Sequence, residues 1–181
     1  MSQPKFDFEV DDAIVLILGA PTKVPALKDR LEGITRLEKL IFLLEMETEV
    51  GKLLTEKPDF KPHHFGPFSA AIYQAVEILK AGGLLEETGR LSESPEDSWE
   101  SANLILGDDA QYATRDFKLT EKGRRYYEAL ASELGKDAVK ATSRLKDQFG
   151  SLPLRQLIRY VYQRHEGFTE RSKIREQILG S

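Results

Sequence analysis

The first strong feature along the chain is an unbroken apolar run, residues 13–20 (AIVLILGA), led by Asp11 and Asp12 and closed by Pro21. An acid at the cap and a proline at the end predict a short helix through Ala20, with Asp11 or Asp12 capping its N-terminus. The run is far shorter than the ~20 apolar residues of a bilayer span, and acids rather than basic residues lead it, so it reads as neither anchor nor signal peptide.

The next apolar pattern is helical. In GITRLEKLIFLLEMETEV, Leu37, Leu40, Ile41 and Leu44 recur at helix spacing, and Thr35 followed by Glu38 fits a capping box that starts a helix near Thr35. Arg36 and Lys39 are three apart and fall on a more polar face. The following segment, TEKPDFKPHHFGP, carries Pro58 and Pro62 and predicts extended chain or a short edge strand.

Helical spacing returns at Pro67, which suits the first turn of a helix over 67–81 with Gly66 just outside it. Phe68, Ala71, Ile72, Ala75, Val76 and Leu79 form the expected buried side. Ser69, Tyr73, Gln74, Glu77 and Lys80 face outward. Gly82 and Gly83 end the helix, one of them in a left-handed cap. Phe65 and Phe68 flank the turn as a hydrophobic staple would, so His63, His64, Gly66, Pro67 and Phe68 read as a structural turn that sets the entry of this helix.

Two strands follow, GLLEETGRL and ATRDFKLT, separated by a long acidic loop over residues 91–112 in which ANLILG could add a strand. Helices over TEKGRRYYEALASELG, KDAVKATSRLKDQFG and SLPLRQLIRYVYQRH complete the pattern, with a last one over 169–179. The apolar face Leu154, Leu157, Ile158, Val161, Tyr162 has two readings, a homodimer contact or packing onto the chain's own core.

Composition narrows this picture. With 181 residues, 40% of them hydrophobic, the chain can bury one substantial core, organised here as a domain over 9–134 and a basic C-terminal helical extension over 135–181. The absence of cysteine excludes disulfides, thiolate zinc sites and cysteine nucleophiles, and a cytoplasmic location is expected. Residues 1–114 hold 11 Lys+Arg against 21 Asp+Glu, a net of −10, whereas residues 115–181 hold 15 against 9, a net of +6. A polyanion should therefore prefer the C-terminal third.

Candidate chemistry is sparse. In extended chain the adjacent His63 and His64 point to opposite faces and cannot easily grip one ion. Ser69 lies near His64, but Gly-Pro-Phe-Ser is not a Gly-x-Ser-x-Gly elbow, and no phosphate-binding glycine motif is present. No catalytic residue, metal or cofactor is expected; a hydrolase or nuclease, the most distant reading, would need carboxylates converging beside His63 or His64.

The phrases GITRLEKLIFLLE and FKPHHFGPFSAAIYQAVEILKAGGLL together resemble the YwgA-type proteins of bacteria and archaea, which are uncharacterised and winged-helix-like, and similar in turn to Panacea and SocA-like antitoxin domains. The likeness is clear over residues 33–85, weaker over 117–130 and 151–176, and absent in the acidic loop. It implies a non-catalytic winged-helix core that binds a partner, with Arg36, Lys39, Gly66, Pro67, Phe68 and Ser69 as motif residues.

The fold expected is therefore α+β and mainly helical, a winged helix-turn-helix-like core with a long acidic wing loop and added C-terminal helices. Two partners stay open. One is DNA, met by Ser69, Tyr73, Gln74 and Lys80 with Arg36 and Lys39 on phosphate; the other is a protein such as a toxin, met without DNA. The order of elements argues for DNA, and the scarcity of cations on the third helix argues against it.

Overall fold

The computed structural model describes residues 4–63, 66–91 and 113–166. Two apolar helices form its centre. Helix α1 (Val10–Gly19) is buried on every side, Asp11 being its most accessible position, as expected of a helix with no polar face. Its start differs slightly from expectation. Glu9 occupies the cap, and Asp12 lies one turn in, where Oδ2 accepts the Glu9 N–H at 3.0 Å. Helix α2 (Ile34–Glu47) is equally enclosed over its first three turns. Its cap is Gly33 rather than Thr35, because the Glu38 carboxylate that a capping box would need is turned into the interior.

Between these helices runs strand β1 (Arg30–Glu32), and after α2 a short 3-10 turn (Glu49–Leu53) leads to a two-stranded antiparallel ribbon, β2 (Lys61–His63) and β3 (Gly66–Phe68). Helix α3 (Ala70–Ala81) follows, with Ile72, Ala75, Val76 and Leu79 buried as the spacing predicts. Its start is a correction. Pro67 lies in β3, paired with Pro62, and Ser69 is the cap, so the helix begins three residues later than the proline suggested. At the other end Gly83 takes φ 75°, the left-handed geometry expected there.

Strands β4 (Leu85–Leu91) and β5 (Ala113–Leu119) pair antiparallel with Leu85 opposite Leu119 and Leu91 opposite Ala113. Strand β1 adds to the far side of β5, giving the order β1-β5-β4. The acidic segment 92–112, His64, Phe65 and the helix expected over 169–179 lie outside the described residues.

Helices α4 (Glu121–Leu134), α5 (Lys136–Phe149) and α6 (Leu154–Arg164) wrap the central pair. The Thr120 hydroxyl caps α4 by accepting the Gly123 N–H at 3.0 Å. Ala138, Leu145, Phe149, Leu154, Leu157, Ile158, Val161 and Tyr162 join the same buried cluster as α1 and α2, so the described part of the C-terminal segment is a layer of one core. The apolar face of α6 is thus spent on its own chain. Among the described residues no helix is long and apolar enough to cross a membrane. The architecture is α+β, mainly helical, with a small antiparallel sheet.

Candidate functional site

Helix α3 enters the fold through a buried polar cluster. Lys39 is fully buried, and its Nζ donates to Glu38 Oε1 and to the Pro67 carbonyl, each at 2.9 Å. Glu38 Oε2 accepts the Ser69 N–H at 3.1 Å, and the Ser69 hydroxyl donates to the Pro58 carbonyl. Burial pushes the Glu38 carboxyl above its ordinary range; the Lys39 charge and hydrogen bond, then the Ser69 N–H, oppose that shift. The cluster joins α2 to both ends of the proline-rich segment, and it holds residues 66–68 extended so that α3 cannot start at Pro67.

Two of the residues expected to contact DNA are therefore interior. Lys39 and Ser69 are both fully buried, and their polar atoms are spent on Glu38, Pro67 and Pro58. Arg36 is also engaged with backbone: Nε donates to the Glu32 carbonyl at 3.1 Å and Nη1 to the Leu152 carbonyl, which ties α2 to the chain entering α6. The polar face expected for Arg36 and Lys39 does not exist at Lys39, because this stretch of α2, including the five consecutive apolar residues Leu40 to Leu44, is buried all round.

The remaining candidates sit on α3. Gln74 and Glu77 are exposed, and Ile78 is 63% exposed between buried Val76 and Leu79. Tyr73 is half-buried, its ring 5.3 Å from that of Phe68. Lys80 Nζ lies 3.5 Å from Glu77 and 3.3 Å from Glu87 on β4. Arg115 on β5 reaches the same two acids, Nη2 standing 2.9 Å from Glu77 and 2.6 Å from Glu87. Burial alone would raise the Glu87 carboxyl; Arg115, then Lys80, override it and hold the group below its usual range. Where the outer face of α3 meets the sheet, two cations and two carboxylates thus form a balanced set.

Of the structural-turn residues, His63 stands opposite Gly66 in the β2–β3 ribbon. Among the described residues no group of three or more His, Asp or Glu could hold a metal. His165 belongs to a different cluster, at the end of α6: its Nε2 lies 3.1 Å from Glu47 Oε1, the Tyr160 hydroxyl donates to Glu47 Oε2 at 2.8 Å, and its ring meets Phe42 edge-on at 4.9 Å. This cluster fastens the last turn of α6 to the last turn of α2.

A second interior cation went unread in the sequence. Lys146, on α5, is 1% exposed, and its Nζ donates to the carbonyls of Leu18 at 2.6 Å and Ala20 at 3.1 Å. Burial pushes it from 10.5 down to about 8, with Asp29 and Asp147 opposing. The available signal was its place on the apolar stripe with Ala138, Thr142, Leu145 and Phe149.

Comparison with known proteins supplies no relative: no family model matches the chain, and neither a curated protein nor a solved structure matches it.

Proposed function

We propose that the protein is a non-enzymatic binding module of winged-helix type, regulatory or antitoxin-like, that recognises a protein partner through the outer face of α3. The winged-helix reading is supported by the order α1, β1, α2, α3, β4, β5, with the β2–β3 ribbon inserted between α2 and α3, and by a sheet in which β1 and β4 flank β5. It agrees with the resemblance to the YwgA-type proteins.

The choice of a protein over DNA rests on one observation. Among the described residues, the cations paired beside the outer face of α3 are Lys80 and Arg115, held by Glu77 and Glu87. DNA affinity comes largely from cations that displace counterions from phosphate, and a cation already bound to a carboxylate must first give up that pair. What α3 offers outward is Gln74, Glu77 and the aliphatic Ile78, a surface suited to an apolar anchor with a polar rim.

Fluorescence anisotropy with labelled duplex DNA at about 50 mM salt, where phosphate contacts are strong, tests the choice. Any DNA retention should be unchanged by Gln74→Ala and Ile78→Ala. An affinity that falls with these substitutions overturns the protein reading in favour of DNA.

A further inference from the structure

The end of α1 opens onto a cleft of about 450 Å³ lined by Gly19–Lys23, Pro25, Lys28, Asp29 and Arg124. That size is within the range of small-molecule sites. Three of its lining side chains are cationic, Lys23, Lys28 and Arg124, and a single one, Asp29, is anionic.

The carbonyl end of a helix normally repels anions. Here those carbonyls are already covered. Leu18 and Ala20 accept from buried Lys146, and Gly19 accepts from Arg124 Nη1 at 3.0 Å. Lys146 therefore adds a further cation behind the wall.

Arg124 is fixed before any ligand arrives. Asp29 Oδ1 accepts from its Nη1 at 2.8 Å, and its guanidinium lies 4.9 Å over the Tyr127 ring. Asp29 itself has φ 57°, a left-handed conformation that aspartate tolerates, and its carbonyl accepts the Leu119 N–H at 2.8 Å. The loop that carries Lys23 is held as well: Asp147 Oδ1 accepts from the Thr22 hydroxyl at 2.6 Å and from the Lys23 N–H at 3.1 Å. Outside the lining, Asp147 is engaged by these bonds, and Glu128 Oε1 stands 3.7 Å from Arg124 Nε, one turn along α4. The inner edge of Arg124 is occupied, while Lys23 and Lys28 stand exposed at the outer wall.

We infer that this cleft binds a small anion whose charged group is a phosphate. The held guanidinium and the two exposed ammoniums put three cations against Asp29 in the walls, donors suited to a phosphate's oxygens, and Pro21 and Pro25 give a short apolar wall for whatever the phosphate carries.

Amide NMR titration with inorganic phosphate and with phenyl phosphate tests this, with acetate at equal ionic strength as the monoanion control. Phosphate should shift the amides of residues 20–29, Pro21 and Pro25 having none, saturably and well beyond acetate. Lys23→Ala combined with Lys28→Ala, both at exposed positions, should weaken binding by about tenfold or more, the effect of losing a charge-assisted contact. Tighter binding of the phenyl ester assigns the cleft to phosphate esters, and equal affinity assigns it to the free ion. Shifts no larger than those from acetate, or unchanged affinity in the double variant, overturn the inference.

Discussion

The Nζ of Lys39 donates to the carbonyl of Pro67 at 2.9 Å across 28 positions of sequence, inside a cluster closed by Glu38 and Ser69. A buried ion pair is costly to desolvate as a unit, and costlier still to leave half-paired. Lys39→Met or Glu38→Gln alone should therefore destabilise strongly, by about 3–5 kcal/mol for the variant that strands a buried charge. The double variant should lose clearly less than the two singles summed. Urea midpoints decide this, and additive losses would mean that the pair does not act as a unit.

Close approach of backbones gives a sharper geometric test. A Cβ on Gly123, in the first turn of α4, would stand 2.1 Å from the Leu84 carbonyl oxygen, whereas one on Gly89 in β4 meets nothing within 4 Å. Gly123→Ala should cost about 1–3 kcal/mol, as overpacking does, or more if the backbone cannot yield. Gly89→Ala should stay within about 0.5 kcal/mol of the parent, the range of unremarkable surface changes. Equal melting temperatures for the two variants would contradict the packing of α4 against the sheet.

Lys146 predicts a pH dependence of definite sign. Its folded value of about 8 lies below the ordinary 10.5, so between these limits the unfolded chain binds the proton that the folded protein has released. Stability from this group therefore rises with pH across that window and is lowest below it, by up to about 3 kcal/mol in total. Lys146→Met removes the titration. The stability of the parent relative to this variant should grow as pH is raised from about 8 to 10, measured by urea unfolding. A difference that stays flat or shrinks would show that Lys146 is not held in a desolvated site.

Much of the fold was legible in the apolar spacing. The enclosed α1, the buried side of α3, the pairing of β4 with β5 and the left-handed Gly83 all follow from local pattern. Misreadings arose where a polar residue serves the interior. Lys39 and Lys146 look like surface cations because charge type is local information, whereas the carbonyls that receive them, at Pro67 and at Leu18 and Ala20, come from distant chain. Pro67 reads as a helix start because proline suits a first turn; the hydrogen bonds from α2 that keep it in a strand cannot be read from its neighbours. The α3 candidates Gln74 and Lys80 were placed on the outer side by periodicity, but periodicity is silent on Glu87 and Arg115, which set the charge of that side.

The central claim is that the outer face of α3 meets a protein. Incorporation of a photo-cross-linking amino acid at position 78, in the cells that make the protein, tests it most directly. Ile78 is 63% exposed and Lys140, on α5, is an exposed control position. The account predicts a discrete protein adduct from position 78 that is absent from position 140 and is lost when Gln74→Arg is added on the same face. A nucleic-acid adduct from position 78, or the same adduct pattern from both positions, would contradict it.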